Sequence, residues 1–309
     1  MTRSVSIRGF TLIELVIVIV LTGIVGTLIG QLLSRPIEGF VDLADRAELV
    51  DGAELALRRM SRELRLALPN SVRITDGTLN LSACTASGGS SCALEILRTS
   101  NGGRYRTKPP IGAPAVCLAS AQQDRLSFNS SADCFEVLGN LGVLPVAAGA
   151  NQLSCMNLPR SSHCLVIANT GQTGANAYNG DNIAGITGAT ANTVTFDIND
   201  GVKVSPSFPL RSPLQRFHIV DTPVSFTCTG GEIDRQADYA ITGTQVLSPA
   251  GGSSSLLANK LTSCIFKYTP GSSTRNGIVV IDITMRFTAS NGSNNDIRLV
   301  QQVHVPNIP

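Results

Sequence analysis

Residues 10 to 33 read FTLIELVIVIVLTGIVGTLIGQLL, and the only charge among them is Glu14. A helix needs about 20 apolar residues to cross the hydrocarbon of a bilayer, so the run is long enough. It also rules out an ordinary surface helix, because a helix apolar on every side has no polar face to turn to water. Arg3 and Arg8 precede the run and no acid does. The positive-inside rule puts that end in the cytoplasm and everything after residue 35 across the membrane. A carboxylate inside such a span is costly and ordinarily has a partner.

Three readings compete for this segment. A cleaved secretory signal fits poorly: the run exceeds a normal h-region, and no small-x-small site precedes a polar start. An uncleaved anchor leaves Glu14 unexplained. Cleavage between Gly9 and Phe10, on the cytoplasmic side, explains it. Phe10 then carries a free α-amino group, and Glu14 stands four residues on. Helical side chains lean back toward the N-terminus, so the carboxylate can meet that amine on its own or a neighbouring chain.

Past the run, apolar residues recur at Ile37, Phe40, Val41, Ala44, Ala47, Val50, Ala53, Leu57, Met60, Leu64 and Ala67. Spacings of three and four describe one face of a helix. Asp42–Arg46, Glu54–Arg58 and Arg59–Glu63 are i,i+4 pairs on the other face, each worth about 0.2–0.5 kcal/mol. Pro69 ends the pattern. One helix is therefore predicted over about Phe10 to Leu68, roughly 88 Å at 1.5 Å per residue. Pro36 is a candidate kink. Gly26 and Gly30 form a GxxxG pair, readable as a close-packing face or as ordinary membrane-helix glycine.

From Val72 the period changes to two. VRITDGTLNL carries a hairpin signal at Asp76-Gly77. ALEILRTS, TVTFDIND, RFHIV, PVSFTC, SCIFKYT, GIVVIDITMRFT and IRLVQQVHV alternate or are rich in β-branched residues. Residues 84–92, 101–114 and 169–192 are rich in Gly, Asn and Ser and read as long loops. The expected fold is α+β: a long N-terminal helix, with a transmembrane half and an amphipathic half, packed on a mostly antiparallel sheet.

Cys84, Cys92, Cys117, Cys134, Cys155, Cys164, Cys228 and Cys264 all follow the helix, and no CxxC occurs. Metal spacing is poorly matched, and His163, His218 and His304 are too dispersed to repair it. Disulfides formed in an oxidising compartment are the better reading. Of 105 possible connectivities, sequence proximity favours Cys84–Cys92, Cys117–Cys134, Cys155–Cys164 and Cys228–Cys264.

The stretch RGFTLIELVIVIV resembles the type IV prepilin signature. It has a short basic leader, Gly at the cut, Phe first and Glu at the fifth mature position. Further segments resemble the MshO family, minor pilins for biogenesis of the mannose-sensitive haemagglutinin (MSHA) pilus: LEILRTSNGGRYRT, DRLSFNSSADCFEVLG, ANAYNGDN, FPLRSPLQRFHIVDTPVSFTC and LVQQVHVPNIP. The resemblance implies a leader over 1–9, a membrane and filament-core helix over 10–35, its amphipathic continuation over 36–68 and a periplasmic head over 69–309. It implies cutting after Gly9 by a prepilin peptidase, N-methylation of Phe10, and pairing of Glu14 with a neighbour's terminus. The implied partners are other minor pilins, the major pilin and the inner-membrane assembly platform. The implied role is to initiate and cap the filament, without catalysis. The J-like pseudopilin of type II secretion is the nearest alternative, and a tip adhesin or ligand-binding module is a second.

Other chemistry is weakly signalled. A net charge of +2 shows no nucleic-acid bias, and none of Arg58, Arg59, Arg62 and Arg65 on the helix needs such a partner. His163 beside Cys164 suggests a Cys-His nucleophile only if Cys164 is free. No GxSxG stands in a strand-turn-helix context. NAYNGDN (176–182) and TFDIND (195–200) concentrate oxygen ligands and make calcium a secondary possibility, with Asx-rich turns the commoner explanation. No cofactor is otherwise expected.

Overall fold

The computed structural model describes residues 9–108, 116–117, 124–128, 130, 132–142, 144, 151–160, 162–199, 208–272 and 275–308, without the side chains of 33–35 and 132. Most of the expected leader, including Arg3 and Arg8, lies outside them, as does part of the 101–114 stretch. Two compact units divide the chain: Met1–Val50 with Phe287–Asn295, and Asp51–Arg286 with Asp296–Pro309.

Helix α1 runs unbroken over Leu12–Arg65, through Pro36. In the first unit its apolar surface is open: Ile37 is 61% and Phe40 73% exposed, and Ala44 and Ala47 are exposed too. The stripe read from the sequence is thus buried only in its later part, at Ala53, Leu57, Met60 and Leu64, with Ala56 and Leu49 added. Asp42 does not pair with Arg46. Its carboxylate accepts from Ser290 N at 2.9 Å and Ser290 Oγ at 2.6 Å. Glu54–Arg58 forms at 2.6 Å and Arg59–Glu63 at 3.7 Å. Glu63 is taken mainly by Arg235, whose Nε lies 2.8 Å away, and both side chains are nearly buried.

The helix ends three residues before Leu68 because the backbone there changes partner. Leu68 N–H donates to Leu97 O and Thr99 N–H to Leu66 O. A strand-type bridge at Ala67–Arg98 replaces the last turn.

The chain then forms β1 (Arg73–Thr75), β2 (Asn80–Leu81), β3 (Ala83–Ala86), β4 (Cys92–Arg104), β5 (Ala132–Glu136), the short helix α2 (Gln152–Met156), β6 (Cys164–Ile167), β7 (Ile183–Ala189), β8 (Thr193–Asp197), β9 (Arg216–Thr229), β10 (Glu232–Ala237), β11 (Ser253–Ala258), β12 (Leu261–Thr269), β13 (Gly277–Thr288) and β14 (Asn294–Val305). The larger sheet has the order β2-β1-β4-β9-β6-β7-β8-β5, with β10 on β9 and β11 on β10; the smaller is β14-β13-β12-β3. The Asp76-Gly77 hairpin is the β1–β2 turn, with Gly77 at φ 97°.

β9 organises the larger sheet. One edge pairs with β4, and the other is shared by β6 and β10. RFHIV and PVSFTC are therefore one strand, with Pro223 inside it. Pro lacks the N–H that a ladder needs, and β4 adapts with register shifts just beyond, at Arg98/Thr99 and Thr99/Asn101.

Three expected loops contain strand. β3 occupies part of 84–92, β4 extends to Arg104, and β7 crosses 169–192. The small residues of β7 that read as loop composition serve close packing. A Cβ on Gly185 would lie 2.1 Å from Asn151 O, so only glycine fits. An aromatic cluster of Tyr105, Phe135, Phe196, Phe208 and Phe217 fills one core beside β5, β8 and β9. Its rings meet edge to face, as at Phe135–Phe217 with centroids 5.4 Å apart, or tilted, as at Phe196–Phe208. The disulfides join Cys84–Cys92, Cys117–Cys134, Cys155–Cys164 and Cys228–Cys264, leaving no free cysteine among the described residues.

Candidate functional site: the N-terminal segment

Gly9 and Phe10 precede the first helical residue, Leu12, and are exposed; Phe10 is 80% accessible. Thr11 is the hinge between coil and helix. Its Oγ1 accepts from Glu14 N at 3.3 Å, while Glu14 Oε2 accepts from Thr11 N at 3.3 Å and Thr11 Oγ1 at 3.2 Å. This is a reciprocal capping box, in which two orphan N–H groups of the first turn are satisfied at once. The sequence signal was present in T-L-I-E, the S/T-x-x-E pattern, and is absent from the reading of Glu14 given above. One carboxylate oxygen thus has a partner inside the chain. The acid also lies at the positive end of the helix dipole.

The other hydroxyls in the run are satisfied locally. Thr22 Oγ1 donates to Val18 O at 2.6 Å, and Thr27 Oγ1 to Ile24 O at 2.8 Å. That is what a medium without water requires of polar groups. The helix is long and apolar enough to cross a membrane. Gly23, Gly26 and Gly30 have nothing within 4 Å of a Cβ built on them, so no contact within the chain explains them.

Other sequence candidates are dispersed. Cys164 is bonded to Cys155, which removes the Cys-His nucleophile at His163. Burial pushes the His163 imidazole down, and it pushes His218 down to about 4 with help from Arg216. Asp181 Oδ2 accepts from Gly174 N and Asn176 N, Asn176 Oδ1 from Tyr178 N, and Asp197 Oδ1 from Asn199 N. Asn176 and Asp197 thus close Asx turns, and Asp181 ties back to the loop before it, while Asp200 lies outside the described residues. No group of three or more His, Cys, Asp or Glu is poised for a metal among the described residues.

A membrane-length helix opened by a capped acid, with an antiparallel β head carrying four disulfides, is the class of molecule these features define. Residues 6–30 match the model of the prokaryotic N-terminal methylation motif, a type IV pilin-like prepilin signal. No curated protein and no solved structure matches the chain. The motif supports a pilin or pseudopilin subunit and implies processing by a prepilin peptidase and assembly with pilus components.

Proposed function

We propose that the protein is a minor pilin that helps initiate, and then caps, an MSHA-type type IV pilus, and that it performs no catalysis. The observation that carries this reading is the methylation motif at the head of a membrane-length helix. The resemblance of the head segments to the MshO family supports the particular pilus. The peptidase cuts between Gly9 and Phe10, and the Phe10 amine is methylated. Glu14 Oε2 caps the first turn, and the carboxylate's other oxygen receives the amine of a neighbouring Phe10. The head resides in the periplasm and then at the pilus tip. A J-like pseudopilin carries the same motif and is the second reading.

Co-expression with a prepilin peptidase tests the processing step. N-terminal sequencing is expected to return N-methylphenylalanine at residue 10, and Gly9→Ala to leave the leader attached. An intact leader on the wild-type chain would sink the proposal. Glu14→Ala is expected to be cut normally but to be recovered at least several-fold less with its partner pilins. Loss of surface pili on deletion, with protein secretion intact, supports the pilus; the opposite result supports the pseudopilin.

A further inference from the structure

Two of the disulfides lie side by side. Cys92 on β4 and Cys228 on β9 stand directly opposite each other in the antiparallel ladder. Each is bonded out of that sheet, Cys92 to Cys84 on β3 and Cys228 to Cys264 on β12. β3 and β12 are neighbours in the smaller sheet, in a register that sets Cys264 against Ala86 and Cys84 against Phe266. The four sulfurs therefore share the space where the two sheets are stapled together.

Of the four non-bonded pairs, the two that share a strand ladder differ in reach. Residues directly opposite in an antiparallel pair hold their Cβ atoms about 4.5–5.5 Å apart, and diagonal neighbours are about 7–8 Å apart. A disulfide spans Cβ atoms about 3.5–4.5 Å apart and Cα atoms within about 6.8 Å. Cys92 and Cys228 come within a small adjustment of that range, while the diagonal pair Cys84 and Cys264 lies outside it. A crevice of about 90 Å³, lined by Ser87, Ser90, Gly230, Gly231, Cys228 and Cys264, opens onto the second bridge. A small thiol seated there adjoins Cys228–Cys264; Cys84, at 8% the most exposed of the four, is the other point of entry, and attack there runs the same exchange in mirror order to the same product.

We propose that this cluster is a disulfide relay, in which one two-electron reduction by a dithiol releases both links between the sheets. A dithiol thiolate attacks Cys264 Sγ, forms a mixed disulfide and expels Cys228 as thiolate. Cys228 attacks Cys92 Sγ across the ladder, forming Cys92–Cys228 and expelling Cys84. The second sulfur of the dithiol closes on the first and releases Cys264. The dithiol loses two electrons and two protons, and Cys84 and Cys264 gain them. One disulfide within the larger sheet replaces two between the sheets. The diagonal geometry of Cys84 and Cys264 stops a second bridge from re-forming without an oxidant and a backbone shift.

The full chain in detergent is titrated with dithiothreitol until half the molecules carry two free thiols among these four cysteines. They are quenched with one alkylating reagent, then fully reduced and labelled with a second. Peptide mass spectrometry is expected to find the first label on Cys84 and Cys264 together. The first label on Cys228 with Cys264, on Cys84 with Cys92, or on all four at once would overturn the relay. A Cys84→Ser, Cys264→Ser double variant, with its β-sheet signal checked by circular dichroism, gives an independent readout. It is expected to oxidise to a Cys92–Cys228 disulfide, and a folded variant that keeps two free thiols under air would refute the proposal.

Discussion

Helix α1 begins and ends under opposite physics. From Leu12 to Leu32 no large apolar side chain is less than 46% exposed, whereas Ala53, Met60 and Leu64 are fully buried. The first stretch is apolar on every side, so no single face can be satisfied by the chain's own fold. The second has a stripe and an ion-paired flank, so one face packs and the other is wet. The first stretch keeps its polar groups by capping and back-bonding within the helix. The second spends its polar groups on distant strands, as Glu63 does on Arg235. One element thus holds a surface made for surroundings outside the chain and a surface made for its own core.

The largest break in that contrast is expected at the buried ion pair. Glu63→Gln leaves the Arg235 guanidinium nearly buried and unpaired, which costs about 3–5 kcal/mol; Glu54→Gln, at the exposed Arg58 pair, costs less than about 0.5 kcal/mol. Urea unfolding of the two variants side by side measures the gap, and equal midpoints would contradict the burial of Glu63. Next comes packing. Leu64→Ala is expected to destabilise the head by about 2–5 kcal/mol, and Leu21→Ala to stay within about 0.5 kcal/mol, read from thermal melts in detergent.

The third effect is smaller and depends on pH. Burial holds the folded His218 pKa near 4, below the ordinary 6.5. As pH falls below 6.5 the unfolded chain takes up this proton first. Stability present above pH 6.5 is therefore lost progressively toward pH 4 and levels off below it. Between pH 6.5 and 5 the loss from His218 is about 1–2 kcal/mol. His218→Gln is expected to flatten this slope without abolishing it, because burial lowers His163 in the same direction. The helix signal from residues 10–33, which contain no histidine, is expected to stay constant over the same range.

Much of this was legible from residue spacing. The long helix, the change of period after residue 72, the Asp76-Gly77 turn and the edges of most long strands follow from local patterns. Two of the strands missing from the sequence reading, β7 and β11, are missing for identifiable reasons. β7 is Gly-, Ala- and Thr-rich because Asn151 O presses on Gly185. β11 begins with three serines, and only its last residue, Ala258, is buried. β9 reads as two strands because Pro223 interrupts it. At the candidate site, Gly9, Phe10 and Glu14 stand out in sequence, and the capping role of Glu14 toward Thr11 was legible in T-L-I-E but masked by the stronger signal of an acid inside an apolar run.

Sequence alone determined that residues 10–33 cannot be satisfied by a water-facing surface helix, because hydropathy on all sides of a helix depends only on which residues are present. It also narrowed the cysteines to near neighbours along the chain. Tertiary structure decided where the amphipathic stripe starts to be buried, which carboxylate Arg235 meets 172 positions away, and that Cys92 faces Cys228 while each bonds elsewhere. Those outcomes depend on sheet register, and register is set by packing among strands far apart in the chain.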